Sequence, residues 1–155
     1  MNIIAFAEQR NGQFKKTAFE VVTAAKTLAG QLNGTVTAVV VGHNVAAIAA
    51  QLGAYGAAKV IAVDDARLAL YSTTAYAKVI AEVAAAESAA VVLLPASEMG
   101  KDVAPRVAVK LNAGLASGCT ALKVENGTVT ATRPVFAGKG LLDVTVATPV
   151  KLFTL

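Results

Sequence analysis

The sequence predicts an α/β fold: a three-layer, open and mostly parallel sheet with helices on both faces and extra antiparallel strands at the C-terminal end. Three observations carry this. Uncharged apolar runs such as Ala89–Leu94 are short and end in polar turns, as strands covered on both faces do. Segments with apolar residues at helical spacing alternate with those runs, which implies parallel strands joined by right-handed crossovers. From Ala116 onward the helical period disappears and turn signals replace it.

Residues 2–8 read as a strand ending in a charge, Glu8, and residues 9–16 as a polar loop around the turn pair Asn11-Gly12. Thr17 with Glu20 three positions on forms a capping box for the first helix. Its Ala18, Val21, Val22, Ala25, Leu28, Ala29 and Leu32 fall on one face, and Asn33-Gly34 supplies a left-handed stop. Residues 35–41 make a second strand, Gly42-His43-Asn44 its turn, and residues 45–52 a short Ala-rich helix. A third strand, 59–63, closes on Asp64-Asp65. Residues 68–71 start a helix, and Ser72 caps the longer one through Ala75, Val79, Ile80 and Val83. After Ala89–Leu94 comes a polar turn with Ser97, Gly100, Lys101 and Asp102. Val103, Val107 and Leu111 then mark a helix. Residues 122–125, 128–136, 143–146 and 150–155 read as strands, joined by the hairpin pair Asn126-Gly127 and by a Gly138-Lys139-Gly140 turn. They are expected as antiparallel strands at the edge of the main sheet.

A chain of 155 residues suffices for one domain with a real core. Its 55% hydrophobic and 15% charged content excludes a disordered chain. With no Trp, the core must be aliphatic. The net charge of +4 is scattered, with no basic stripe interleaved with aromatics, so no nucleic-acid partner is expected. No apolar run approaches the ~18 residues of a membrane span, so no membrane insertion is expected. The start of the chain enters a strand at once, without the pattern of a secretory leader. The lone Cys119 reads as a small core residue. A cytoplasmic, reducing setting in a bacterium is the resulting expectation.

The stretch from Ala96 to Arg106 concentrates the chemical possibilities. A turn between the carboxyl end of a parallel strand and a helix start is where open α/β sheets place working residues. Free backbone N–H groups there favour an anion. Yet the chain has no glycine-rich dinucleotide loop, no Gly-Lys-Ser/Thr phosphate loop and no nucleophile elbow. His43 has no second ligand nearby and reads as a turn residue. Asp64 and Asp65 suit a ribose hydroxyl or, more simply, a strand end. Glu8 faces the same mouth, with a satisfied turn carboxylate as its expected role. Arg106, next to Pro105 and placed near the helix start, asks for a carboxylate, a carbonyl, an anion or another subunit. No catalytic, cofactor-binding or metal residue is assigned, and the chain is not read as an enzyme.

Several motifs, in order, resemble one family. They are Ala7-Glu8 with Gly12, Ala24-Ala25-Lys26-Thr27-Leu28-Ala29, and Gly53-Ala54-Tyr55-Gly56-Ala57-Ala58-Lys59-Val60. The most specific are Gly100-Lys101-Asp102-x-x-Pro105-Arg106-Val107-Ala108 and Arg133-Pro134-x-x-Ala137-Gly138. Together they resemble the N-terminal domain of the electron transfer flavoprotein α subunit, of Rossmann-like fold. The resemblance covers residues 1–155 as one domain. It implies a separate FAD-binding domain that this stretch lacks, so FAD belongs to the full complex and none is expected on this chain. It implies a heterodimer with the electron transfer flavoprotein β subunit, which carries electrons from flavoprotein dehydrogenases to an acceptor. Gly100, Lys101, Asp102, Pro105, Arg106, Arg133 and Gly138 match the signature and are expected in folding and subunit contact. The alternative is a free-standing AMP- or ATP-binding module like the universal stress proteins, with the turn of residues 96–102 cradling a phosphate.

Overall fold

The computed structural model describes residues 1–155. Strand β1 (Asn2–Phe6) leads through a small hairpin, β2 (Gln9–Arg10) and β3 (Gln13–Phe14), into helix α1 (Lys16–Leu32). Then follow β4 (Thr35–Gly42), the short α2 (Ala46–Ala49) with a 3₁₀ extension, and β5 (Lys59–Asp64). Helix α3 (Thr73–Ala86), β6 (Ala89–Leu94) and α4 (Glu98–Lys110) complete the regular alternation. The last third holds β7 (Gly114–Ala116), β8 (Ala121–Glu125), β9 (Thr128–Val135), β10 (Gly140–Thr145) and β11 (Lys151–Thr154).

The central sheet has six strands in the order β5-β4-β1-β6-β11-β7, all parallel. Alternate residues of each strand feed opposite layers. Val91 and Leu93 pack with α1, whereas Val92 and Leu94 pack with α3 and α4. Burial on both faces is why β4 and β6 are continuous apolar runs. The order reverses between β1 and β6: the chain first winds from β1 out to β5, then returns to the other side of β1. The carboxyl ends of β1 and β6 therefore flank a topological switch point, the usual ligand crevice of such sheets.

The open α/β architecture expected from the sequence is present; the helix start expected at residues 68–71 is instead a 3₁₀ turn at Ala66–Leu68, Ser72 stands at the N-cap of α3 without a side-chain bond, and four further differences concern the sheets and α1. The antiparallel strands do not extend the main sheet. They form their own sheet, β10-β9-β8, packed on the α1 face through Val129 and Ala131. The last strand, β11, inserts parallel between β6 and β7 instead of joining the hairpins, because its Leu152 and Phe153 are fully buried only in mid-sheet. The expected loop at 9–16 contains a hairpin whose turn residues Asn11 and Gly12 both have positive φ (53° and 73°). The Thr17–Glu20 capping box is not made. The helix starts two residues earlier, with Lys15 at the N-cap position, Thr17 Oγ1 is buried without a partner, and Glu20 pairs with Lys16 at 3.4 Å. Asn33 does stop α1, at φ 50°. No helix is long and apolar enough to cross a membrane.

Candidate functional site

The crevice at the switch point is built by three elements. Glu8 follows β1, Lys15 precedes α1, and Ser97 caps α4. Ser97 Oγ accepts from the Gly100 N–H (3.1 Å) and donates its own proton to Glu8 Oε2. The other Glu8 oxygen pairs with Lys15 Nζ at 3.2 Å. Glu8 is 1% exposed, so its charge is held by these two partners and not by water. Gln9 is fixed as well: its side-chain amide donates to the Val41 carbonyl (3.0 Å) and its oxygen accepts from the Gly12 N–H (3.1 Å). Above them opens a cavity of about 430 Å³, walled by Arg10, Tyr71, Tyr76 and Met99 among others.

Helix α4 begins at Glu98, a turn earlier than its apolar period suggests. This corrects the placement of the signature residues. Gly100, Lys101 and Asp102 lie in the helix, not in a turn, and Pro105 lies in its middle, not in its first turn. Pro105 is tolerated because it sits on the exposed face, where only one backbone N–H is lost. Gly100 is buried where α4 crosses the Pro95 carbonyl; a Cβ there would fall almost onto that oxygen, 2.9 Å from its carbon. Asp102 accepts from Tyr71 Oη (2.7 Å) and from Thr73 Oγ1, and so ties the loop before α3 to α4. The Thr73 and Tyr71 bonds hold the Asp102 carboxyl below its ordinary value. Burial, reinforced by Asp102, pushes the Tyr71 phenol up to about 12. Lys101 pairs only with Glu98, at 3.3 Å, and Arg106 stands on the exposed face without an ion pair.

Arg133 and Gly138 lie elsewhere. The hairpin β9–β10 belongs to the layer of α1, across the central sheet from α4. The signature residues therefore form two separate patches, not one site. Arg133 is half-buried beside Cys119, its Nε has no hydrogen-bond partner, and no carboxylate of the chain pairs with it. The turn between the strands has positive φ at Phe136, Ala137 and Gly138, so it starts two residues before the expected one. At its tip Phe136 is 83% and Leu141 72% exposed.

The remaining candidates have structural partners. Asp64 accepts backbone N–H groups from Asn44, Val45 and Ala46 and so caps α2; these bonds, led by that from Ala46, lower its pKa. His43 lies 3.5 Å from the same carboxylate. Asp65 caps the next turn and binds Arg67 at 2.7 Å. Cys119 is 5% exposed, and burial raises its pKa. No three His, Cys, Asp or Glu side chains converge.

Comparison with known proteins decides the family: the electron transfer flavoprotein domain matches residues 3–155. The chain belongs to the electron transfer flavoprotein family. It is 42% identical over 138 residues to the electron transfer flavoprotein subunit alpha of Thermoanaerobacterium thermosaccharolyticum, covering 88% of this chain and 42% of that one. The Clostridium acetobutylicum subunit alpha is 40% identical over 135 residues, or 86% of this chain and 40% of that one. The acryloyl-CoA reductase electron transfer subunit beta of Anaerotignum propionicum is 40% identical over 124 residues, 80% of this chain and 34% of its own. The chain thus spans about two-fifths of the length of the relatives it matches. The family implies FAD, but the residues here do not fit a flavin dinucleotide. At the switch point the Ser97 hydroxyl and Lys15, the side chains beside the head of α4 that could help receive a pyrophosphate, are both engaged by the Glu8 carboxylate.

Proposed function

We propose that this chain is the N-terminal scaffold and subunit-contact domain of an electron transfer flavoprotein α subunit. In this reading it works in the cytoplasm as part of a heterodimer with the β subunit. The complex carries electrons from flavoprotein dehydrogenases to an acceptor, and FAD is bound mainly outside residues 1–155. The chain is an electron-carrier component and does no catalysis of its own.

One observation of the fold carries the contact role: the β9–β10 hairpin. Exposed Phe136 lies in its turn and exposed Leu141 near the start of β10, and Arg133 of β9 has a half-buried guanidinium with no anionic partner. A half-buried cation is normally paired. A carboxylate or carbonyl from a neighbouring subunit would satisfy it while the apolar tip loses water. Gly138 shapes this turn. Gly100 and Asp102 support the fold of α4, and Lys101, Pro105 and Arg106 offer a second exposed surface.

The test is titration of the chain with an electron transfer flavoprotein β subunit that binds its intact α subunit under the same conditions. Binding is expected, and Arg133→Ala or Phe136→Ser should weaken it by about 1–3 kcal/mol, the range of an interface anchor. No binding by the chain, or unchanged affinity in both variants, overturns the contact role. The free-standing nucleotide module is not favoured, since the relatives are electron-transfer subunits.

A further inference from the structure

The exposed faces of the long helices balance their charges, with one exception. On α1 Lys16 pairs with Glu20, on α3 Lys78 with Glu82, and at the start of α4 Lys101 with Glu98, each about one turn apart. The second half of α4 instead presents Pro105, Arg106, Val109 and Lys110 together. Arg106 and Lys110 are like charges at i and i+4, a spacing that repels, and neither has an ion pair. Each of the ten Asp and Glu side chains, by contrast, has a partner within the chain. Lys110 lies in the last turn, where the helix dipole favours a cation. Arg106, in mid-helix, has no such compensation. Its natural partner is Asp102, an acid four residues N-terminal to a base. Asp102 is drawn away: it accepts from Tyr71 Oη (2.7 Å) and from Thr73 Oγ1. We infer that Tyr71 and Thr73 hold Asp102 off Arg106 and thereby leave Arg106, with Val109 and Lys110, to dock an acidic segment of the partner subunit.

The surface defines the chemistry of that segment. Two carboxylates one helical turn apart match Arg106 and Lys110, and the planar guanidinium takes a carboxylate through two parallel bonds. An apolar side chain between the two acids would cover Val109, which is 82% exposed. Beside Lys110 an open groove of about 340 Å³ between α3 and α4, walled by Ala81, Ala85 and Leu111 among others, has room for a second apolar side chain. The acid at this groove, Glu82, already faces Lys78 at 3.8 Å. Nucleic acid is a poorer match, since two cations around an exposed valine make no basic stripe. Docking at α4 rests on the subunit-contact reading above and adds to it a face across the central sheet from the β9–β10 hairpin.

The experiment titrates an electron transfer flavoprotein β subunit into the chain by calorimetry, with the fold of each variant checked by circular dichroism. Arg106→Ala should weaken binding at least about tenfold, whereas Lys101→Ala, whose cation is already paired, should change it by less than about twofold. Raising salt from about 0.1 M to 1 M should weaken the original complex more than the Arg106→Ala complex. A further variant leaves the docking charges in place. Tyr71→Phe with Thr73→Val releases Asp102 to capture Arg106, and affinity should fall by at least about twofold, the worth of such a pair. With Asp102→Asn also present, the same two substitutions should change nothing. If the double substitution does not fold, Tyr71→Phe alone carries this arm. No binding by the original chain overturns the contact role and docking at α4 with it. Binding that Arg106→Ala leaves unchanged overturns docking at α4 while the contact role stands on the hairpin. Unchanged affinity in a folded variant with Asp102 released overturns the part given to Tyr71 and Thr73.

Discussion

Replacing Gly100 by alanine sets two effects against each other. Gly100 lies in α4, and in a free helix alanine is better than glycine by about 1 kcal/mol. But its Cβ would be driven onto the Pro95 carbonyl oxygen, 2.9 Å from the carbonyl carbon and 3.4 Å from Ser97 Oγ. That obstacle is backbone and cannot rotate away. Relief needs a shift of the 95–97 turn or of the first turn of α4. Either endangers the Ser97 cap, worth about 1 kcal/mol, and the Ala96 N–H bond to the Leu155 carbonyl at 2.5 Å. Overpacking of this kind costs about 1–3 kcal/mol. Adding the cap and subtracting the propensity leaves a net loss of about 1–3 kcal/mol. For a chain of this size that lowers Tm by about 3–10 °C. Gly30 is the internal control. It is also helical, and nothing lies within 4 Å of its added Cβ, so Gly30→Ala should stabilise by about 1 kcal/mol. Circular dichroism at 222 nm in urea and heat measures both. If Gly100→Ala is as stabilising as Gly30→Ala, the close approach does not govern this position.

Thr17 Oγ1 is buried without a partner, so Thr17→Val, of the same shape, should raise stability by about 1 kcal/mol in urea unfolding; a loss would mean the hydroxyl is satisfied. Tyr71 should titrate near 12, read as the ultraviolet difference between the chain and Tyr71→Phe, and Asp102→Asn should bring that midpoint down. Because the folded state holds this proton more tightly, its contribution is complete below the ordinary phenol value near 10 and is lost as pH rises towards 12. A Tyr71 midpoint near 10 would refute this. Cys119 is buried with its pKa raised, so a thiol reagent should label it slowly in the folded chain and at an ordinary rate in denaturant; equal rates would place it at the surface.

The elements that the sequence revealed are those with strong local signals. The apolar runs of β4 and β6, the periodic face of α1 and the Asn126-Gly127 hairpin were legible because burial on both faces, a 3.6 period and positive φ each leave their own imprint. What stayed hidden depends on partners distant in sequence. Nothing local distinguishes β11, which is parallel in mid-sheet, from an edge hairpin strand, and β7 has only three residues. The start of α4 was misplaced because Lys101 and Asp102 look like a turn when they are simply the exposed face of a helix. A capping box at Thr17 had the right residues, but the helix begins two residues earlier, at Lys16 after the β2–β3 hairpin. At the crevice, Glu8 was visible as a carboxylate at a strand end, and its role as a satisfied group followed. Of its partners, Lys15 is brought back by the local β2–β3 hairpin, and only Ser97 arrives through the doubled winding of the sheet. The unpaired state of Arg133 likewise needed the surroundings of Cys119 to be seen.

The contact role is tested most directly by hydrogen–deuterium exchange of the chain with and without an electron transfer flavoprotein β subunit. The account predicts that residues 133–142 become protected on binding, with α4 as the next most affected element. Stable binding that leaves the β9–β10 hairpin exchanging as in the free chain would contradict it.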